Sequence, residues 1–348
     1  MPISRRTLVA AAGATPFLAL AKASYSHPTL KPKALKKGDT IAIVAPSSAA
    51  GKAEDVAQAQ AAVEAIGFKV KLGAHVDDYW GYLAGTDEHR AADLNQAFQD
   101  PEVDGIFCFQ GGYGAGRILD LLDYHAIRRN PKVIIGYSDI TALLVGIYAR
   151  ANVVTFHGPI AWSDYKGFEY DNMVRVLEQA SPVGALGEPT APSGNTPFPS
   201  GATLHPGTAA GKLVGGNLTL LSSLAGSPYL PSFDGHLLFV EDIGEEPYRI
   251  DRMLNTLRLC GATKGVKGLI FGDFHAREKK PFDEPTDPAR SFDMGQVLQN
   301  FTDQMGVPAF SGSWFGHIRD KYTLPLGVHA EMDADNRKLS LLESAVLS

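Results

Sequence analysis

The order of apolar runs and amphipathic stretches predicts an α/β protein whose first half is an open, doubly wound parallel sheet with helices on both faces. Three observations carry that reading. Short apolar runs rich in β-branched and aromatic residues recur at Thr40 to Ala45, Phe68 to Leu72, Gly105 to Phe109 and Val133 to Ile135. Stretches with helical spacing lie between them, and turn-forming residues follow each run.

Taken in order, Thr40 to Ala45 has the apolar continuity of a strand buried on both faces, and Pro46 Ser47 Ser48 ends it. Glu54 to Ile66 is an amphipathic helix stopped by Gly67, Phe68 to Leu72 a second strand, His89 to Asp100 a second helix, and Gly105 to Phe109 a third strand. In such sheets ligands bind beyond the carboxyl ends of the strands. Two loops occupy that position. One is Gln110 Gly111 Gly112 Tyr113 Gly114 Ala115 Gly116 Arg117, and the other is the turn Gly136 Tyr137 Ser138 Asp139 between the strand Val133 to Ile135 and a helix from Ile140 to Arg150. A serine on a strand-to-helix turn has its hydroxyl lifted from the sheet edge, with the N–H groups and positive dipole end of the helix nearby. That is how a nucleophile is presented, although a serine there can also serve only as an N-cap. The glycine-rich loop lacks the Lys-Ser/Thr of a phosphate loop and the dinucleotide spacing. Its glycines either bring a main-chain N–H to a substrate oxygen or simply make a tight turn.

From Ser163 to about Pro206 the pattern decays into Pro, Gly, Ser and Thr, so residues 166–206 are expected to be a domain connection with surface loops, after a first domain over 35–165. The second domain, 207–348, opens with Gly211 to Leu218 and a helix through Leu224. It continues with a buried strand Leu237 to Val240 ending at Glu241 Asp242, a helix Tyr248 to Leu259, and a strand Gly268 to Gly272. A helix Met294 to Met305 follows, then Pro308 to Phe315 leading into Gly316 His317, and one or two terminal strands within Leu326 to Leu342.

Composition narrows the function. The chain has 348 residues, 45% hydrophobic, and a net charge of −6 with no Lys/Arg cluster, which argues against a nucleic-acid surface and for small molecules or peptides as partners. Two cysteines, Cys108 and Cys260, exclude a disulfide scaffold and a cysteine-rich zinc site, and both read as buried thiols. Residues 1–23 read as an export signal. Arg5 Arg6 precede a short apolar stretch to Leu20, and Ala21 Lys22 Ala23 offers a cleavage site, a pattern like a twin-arginine signal. No other run approaches membrane-spanning length, so an exported protein without stable membrane insertion is expected.

A serine hydrolase needs a base within reach of the hydroxyl and a carboxylate that orients that base. Glu241, directly after a buried strand, and His317, in a loop after Phe315 Gly316, are placed where rigid elements could aim them at the sheet edge. The order Ser, Glu, His is also the chain order of α/β-hydrolases.

Several separate motifs resemble the LD-carboxypeptidases, the serine peptidase family that also contains the microcin C immunity hydrolases. In the first half these are Gly111 Gly112 Tyr113 Gly114 with Arg117, Gly136 Tyr137 Ser138 Asp139 Ile140 Thr141 Ala142 Leu143, and Thr155 Phe156 His157 Gly158 Pro159. In the second they are Gly215 Gly216 Asn217 Leu218, Phe239 Val240 Glu241 Asp242 with Pro247 Tyr248 Arg249 Ile250 Asp251 Arg252 Met253 Leu254, and Gly316 His317 with Leu324 Pro325 Leu326 Gly327.

The resemblance spans about Leu35 to Asp333. It implies a triad of Ser138 as nucleophile, His317 as base and then acid, and Glu241 as the orienting carboxylate, with backbone N–H groups near Gly112 and Asp139 as the oxyanion hole. It further implies a doubly wound, flavodoxin- or Rossmann-like N-terminal domain and a smaller C-terminal α/β domain with the active site between them. The activity implied is metal-independent and cofactor-free release of the terminal D-alanine from murein tetrapeptides by a homodimer. Two positions depart from the family's pattern. Gln110 stands where family members often carry Arg, and Trp314 Phe315 stand where proline often precedes Gly-His, which suggests a more aromatic pocket wall. Readings from other classes are a peptidyl-nucleotide hydrolase of the same family, a two-lobe solute-binding protein, and a metal-dependent hydrolase using the triplet Asp273 Phe274 His275.

Overall fold

The computed structural model describes residues 28–275 and 291–348. The expected export signal, 1–23, lies outside the described residues. In chain order the first part comprises β1 (Thr40–Val44), α1 (Ala53–Ala65), β2 (Lys69–Leu72), α2 (Asp87–Gln99), β3 (Gly105–Cys108), α3 (Tyr124–Arg129), β4 (Val133–Gly136), α4 (Thr141–Ala151) and β5 (Thr155–His157). Single 3-10 segments occupy Ala115–Leu121 and Ser138–Ile140. The chain continues through α5 (Gly167–Glu178), β6 (Gly184–Ala185), β7 (Thr203–His205), β8 (Thr208–Asn217), α6 (Leu218–Ser223), β9 (His236–Glu241), α7 (Pro247–Leu259) and β10 (Gly268–Phe271). Last come α8 (Met294–Met305), β11 (Ala309–Phe310), β12 (Leu324–Leu326), β13 (His329–Asp333) and β14 (Lys338–Leu341).

The first sheet has the order β12-β5-β4-β3-β1-β2. Its strands β2, β1, β3, β4 and β5 are parallel, and the antiparallel β12 closes one edge. This is the doubly wound arrangement expected, with the strand order 2-1-3-4-5 that places a binding crevice beyond the strands' carboxyl ends. The second sheet has the order β6-β14-β13-β8-β9-β10-β11-β7. Its parallel centre, β8 to β11, is flanked by antiparallel strands.

The two sheets meet through α4. Thr141 to Tyr148 of this helix are all buried, as an all-round apolar helix must be. The first turn of α4 touches β8 so closely that a Cβ on Gly216 would sit 2.7 Å from the Thr141 side chain, and the Asn217 N–H donates to Thr141 Oγ1 at 3.0 Å.

Two expectations change. The segment 166–206, expected to be connection and loops, contains α5, a 12-residue helix that buries Met173, Val176 and Leu177. The strand β12, within the segment expected to form the second domain, pairs with β5 of the first sheet. Cys108 is buried as expected, but Cys260 is exposed. It follows the last turn of α7 and lies off the face formed by Ile250, Leu254 and Leu257, which are the residues that helix buries.

Candidate active site

A pocket opens beyond the carboxyl ends of β3 and β4, lined by Ser48, Gln110, Gly111, Gly112, Tyr137, Ser138, Ile160 and His317. Its floor is the turn after β4. Ser138 has φ of +62°, in the left-handed region that a side chain seldom adopts, so this serine is held in a strained elbow. It does not cap α4. The residue preceding that helix is Ile140, and no side chain supplies the cap. Of the two roles open to Ser138, the hydroxyl is therefore not spent on the helix end.

The glycine loop lies directly over this elbow. A Cβ on Gly111 would sit 3.0 Å from Ser138 Cβ, 3.3 Å from Ser138 Oγ and 3.3 Å from Asp139 N, so only glycine lets the loop backbone come this near without displacement. Gly112 has φ of +109°, and a Cβ there would lie 2.2 Å from Ser48 Oγ. Of the two residues expected to form an oxyanion hole, Gly112 lines the pocket with Ser138, and the Asp139 N–H lies against Gly111 of the same loop.

The loop after β1 binds these parts together. Ser47 Oγ donates to the buried Asp139 carboxylate, which also accepts from Ala115 N at 2.8 Å. Burial pushes the Asp139 carboxyl above its ordinary range. Ser48 Oγ accepts from Tyr113 N at 3.0 Å. Gln110, the departure from Arg, donates through Nε2 to Ser48 O at 3.2 Å and Ala49 O at 2.6 Å, so its amide is used to join the two loops. Behind them the fully buried Arg90 of α2 donates through Nη1 to Pro46 O at 2.6 Å and Gly114 O at 2.8 Å, while Nη2 pairs with Asp87. Sequence reasoning treated Ser47 and Ser48 only as a strand end, and nothing in their spacing marks them as supports.

From the second sheet, Glu241 ends β9 and His317 follows β11. His317 Nδ1 lies 2.8 Å from Glu241 Oε2, leaving Nε2 as the nitrogen free to serve the pocket. Gly316, at φ +116°, permits this pairing, since a Cβ there would be 3.1 Å from both Glu241 Cβ and Oε2. Burial alone would raise the Glu241 carboxyl, but the charge of His317, the nearby His157 ring and the His317 hydrogen bond together outweigh that and hold it at about 2. His317 is correspondingly raised. Burial works against its cation, and the Glu241 carboxylate more than compensates.

A second histidine approaches the same carboxylate. His157, at the end of β5 and fully buried, places Nε2 3.7 Å from Glu241 Oε1. That is an electrostatic contact too long for a hydrogen bond, and neither atom has a hydrogen-bond partner among the described residues. Tyr137 stands edge-on to His317 with ring centroids 5.1 Å apart, and Lys321 Nζ lies 4.1 Å from the centre of the Tyr137 ring while pairing with Glu169 at 3.2 Å. His157 lay inside a quoted motif and Lys321 within four residues of His317, but only the fold gives either a place.

One expectation is corrected here. Phe315, thought to make the pocket wall aromatic, is wholly buried against His157 and Phe239, and Trp314 is also buried, so the aromatic ring of the lining is Tyr137. The Asp273 Phe274 His275 triplet gathers no third ligand among the described residues. Asp273 Oδ1 instead accepts from Phe198 N at 3.0 Å and contacts His275 Nδ1.

The arrangement can carry out acyl transfer. It offers a strained hydroxyl, an imidazole oriented by a buried carboxylate, and glycine backbone beside the hydroxyl.

Known proteins share this plan. The chain is 39% identical over 329 residues to the probable murein peptide carboxypeptidase of Bacillus subtilis, covering 91% of this chain and 95% of that one. It is 30% identical over 299 residues to the microcin C7 self-immunity protein MccF of Escherichia coli, covering 80% and 85%. The crystal structure of muramoyltetrapeptide carboxypeptidase from Oxalobacter formigenes superposes with a TM-score of 0.73 at 28% identity, over 89% of this chain and all of that one. With residues 41–158 matching the LD-carboxypeptidase N-terminal domain and residues 210–332 matching its C-terminal domain, the chain belongs to the LD-carboxypeptidase family.

Proposed function

We propose that this protein is a metal-independent serine carboxypeptidase that hydrolyses the amide between the L-centre of a diamino acid and the terminal D-alanine of murein tetrapeptides. The observation that carries the reading is the elbow serine, Ser138 at φ +62°, sharing a pocket with a histidine whose Nδ1 is held 2.8 Å from a buried carboxylate.

In the proposed cycle His317 Nε2 takes the proton from Ser138 Oγ as that oxygen attacks the scissile carbonyl. The negative charge that develops on the carbonyl oxygen is met by N–H groups at Gly112 and Asp139. Collapse of the tetrahedral intermediate breaks the C–N bond, and the imidazolium gives its proton to the departing amine of D-alanine. Water then attacks the acyl-enzyme with His317 again as base, regenerating Ser138. Glu241 stays ionised throughout and stabilises the imidazolium.

The substrate side of the proposal is supported by the murein-peptide names of the relatives. Export to the periplasm is also part of it, resting on Arg5 Arg6 and the Ala21 Lys22 Ala23 cleavage pattern, and predicts a secreted form beginning near Ser24. A homodimer is included on the family resemblance. The deciding experiment incubates the protein with murein tetrapeptide and measures mass loss. Loss of one alanine residue is expected, and an unchanged tetrapeptide, or cleavage at another bond, overturns the assignment.

A further inference from the structure

We propose that His75, Asp78 and His89 form a binding site for one zinc ion, separate from the catalytic pocket. Among the described residues this is the group of three or more His, Cys, Asp or Glu side chains whose ligand atoms converge, all within 4.8 Å of one another. Both imidazoles aim Nδ1 at the same atom, Asp78 Oδ2, at 3.0 Å from His75 and 2.7 Å from His89. Two imidazole nitrogens and one carboxylate oxygen are a donor set that suits zinc, whereas calcium and magnesium require oxygen donors. Three protein ligands leave a fourth, tetrahedral position for water, and the half-exposed side chains give an ion its entry path.

The donors are also held in place. His75 and Asp78 lie on the loop after β2, and His89 lies in the first turn of α2, where Thr86 Oγ1 accepts from its N–H at 3.2 Å. The His75 N–H donates to Asp93 Oδ2 at 2.9 Å. Gly85 allows the chain to fold tightly against the cluster, since a Cβ there would lie 2.9 Å from Asp78 Cβ and 3.5 Å from His89 Cβ. The two rings stack with centroids 3.8 Å apart. The two contacts to Asp78 lie at hydrogen-bond distance between partly exposed side chains, so an ion that replaces them forfeits little stability. The ion would clasp the loop that carries Trp80 and Leu83 to the helix that carries Arg90. Leu83 bridges to Ser48, which lines the pocket, so the clasp stiffens the rim of the cleft and takes no part in the chemical step.

The test uses untagged, chelator-stripped, full-length protein titrated with zinc chloride by calorimetry, with melting followed in parallel. One zinc per chain and a rise in melting temperature on the order of a few degrees at saturating zinc are expected. His89→Ala and Asp78→Asn should each weaken binding by about 100-fold or more while melting normally without zinc. Absence of binding up to about 1 mM zinc, or equally tight binding by both variants, overturns the site. Should a variant fail to fold, zinc-edge anomalous scattering from zinc-soaked crystals of the unaltered protein decides, and a peak anywhere but between these three side chains overturns it.

Discussion

Replacing Glu241 by glutamine tests the electrostatics of the site most directly. The substitution keeps the shape of the side chain and removes the charge that faces His317 Nδ1 at 2.8 Å and His157 Nε2 at 3.7 Å. The Glu241 carboxyl sits at about 2 against an ordinary 4.5 although it is completely buried. The carboxyl is depressed in spite of complete burial because the His317 charge, with a further contribution from His157, strongly favours its ionised form. The imidazolium forms on the way to the transition state, so losing this attraction should lower kcat by about 10² to 10³.

The pH profile carries the sign. His317 must be neutral to accept a proton, and Glu241 raises its pKa against the opposing effect of burial. With glutamine, burial and the Lys321 charge still disfavour the cation and only the Asp242 charge favours it, so the acid limb of kcat/KM should move to lower pH. Stability should respond too. A carboxyl depressed in the folded state contributes stability above its unfolded value of about 4.5 and loses it as pH falls toward about 2, so the variant's stability should vary less across that range. The assay is D-alanine release from pH 4.5 to 8, with thermal melting as the folding control. An acid limb that stays in place, or an undiminished rate in the folded variant, would refute the reasoning.

Ser138→Ala and His317→Ala should each lower kcat by about 10⁴ to 10⁶, and the double variant should be scarcely slower, because the pair acts as a unit. Turnover near normal in folded Ser138→Ala protein would dismiss the serine mechanism. Gly111→Ala should lower kcat by about 10² while shifting the melting temperature by only ~2 °C, because its φ is not left-handed and the new methyl meets Ser138 Cβ at 3.0 Å. A fully active variant would show that the loop backbone has no need to approach the serine. Turnover should survive exhaustive chelation, since the pocket lining offers one imidazole and no carboxylate. A loss restored by a divalent ion would contradict this.

Much of the site could be read from the sequence because its parts sit at the ends of short apolar runs. Val133 to Ile135 marked β4 and therefore the turn at Ser138, and Leu237 to Val240 marked β9 and therefore Glu241. What could not be read is conformation and distance. The left-handed φ of Ser138 is imposed by the elbow and has no sequence signature, and the loop position of His317 made it a candidate that only the resemblance to a family motif singled out. Helix α5 was missed because Gly167 opens it and a Pro- and Gly-rich stretch follows, although Met173, Val176 and Leu177 keep helical spacing. The convergence of His75, Asp78 and His89 was equally hidden, since their spacing crosses a loop and a helix start and matches no ligand motif.

The joining of the two sheets shows why His317 is found where it is. Leu324 Pro325 Leu326 looks a poor strand, because proline cannot donate to a ladder, yet β12 is an edge strand, where a missing N–H can be tolerated. Its pairing sets Leu324 opposite His157, the residue whose ring reaches toward Glu241. The segment from β11 in the second sheet to β12 in the first therefore spans both, and His317 lies within it. His317 is thus fastened at one end to the sheet that supplies Glu241 and at the other to the sheet that supplies Ser138. Separating the sheets would move the histidine relative to Glu241 or Ser138, so the geometry of the proposed site depends on the packing of α4 against β8 as much as on any residue in the pocket.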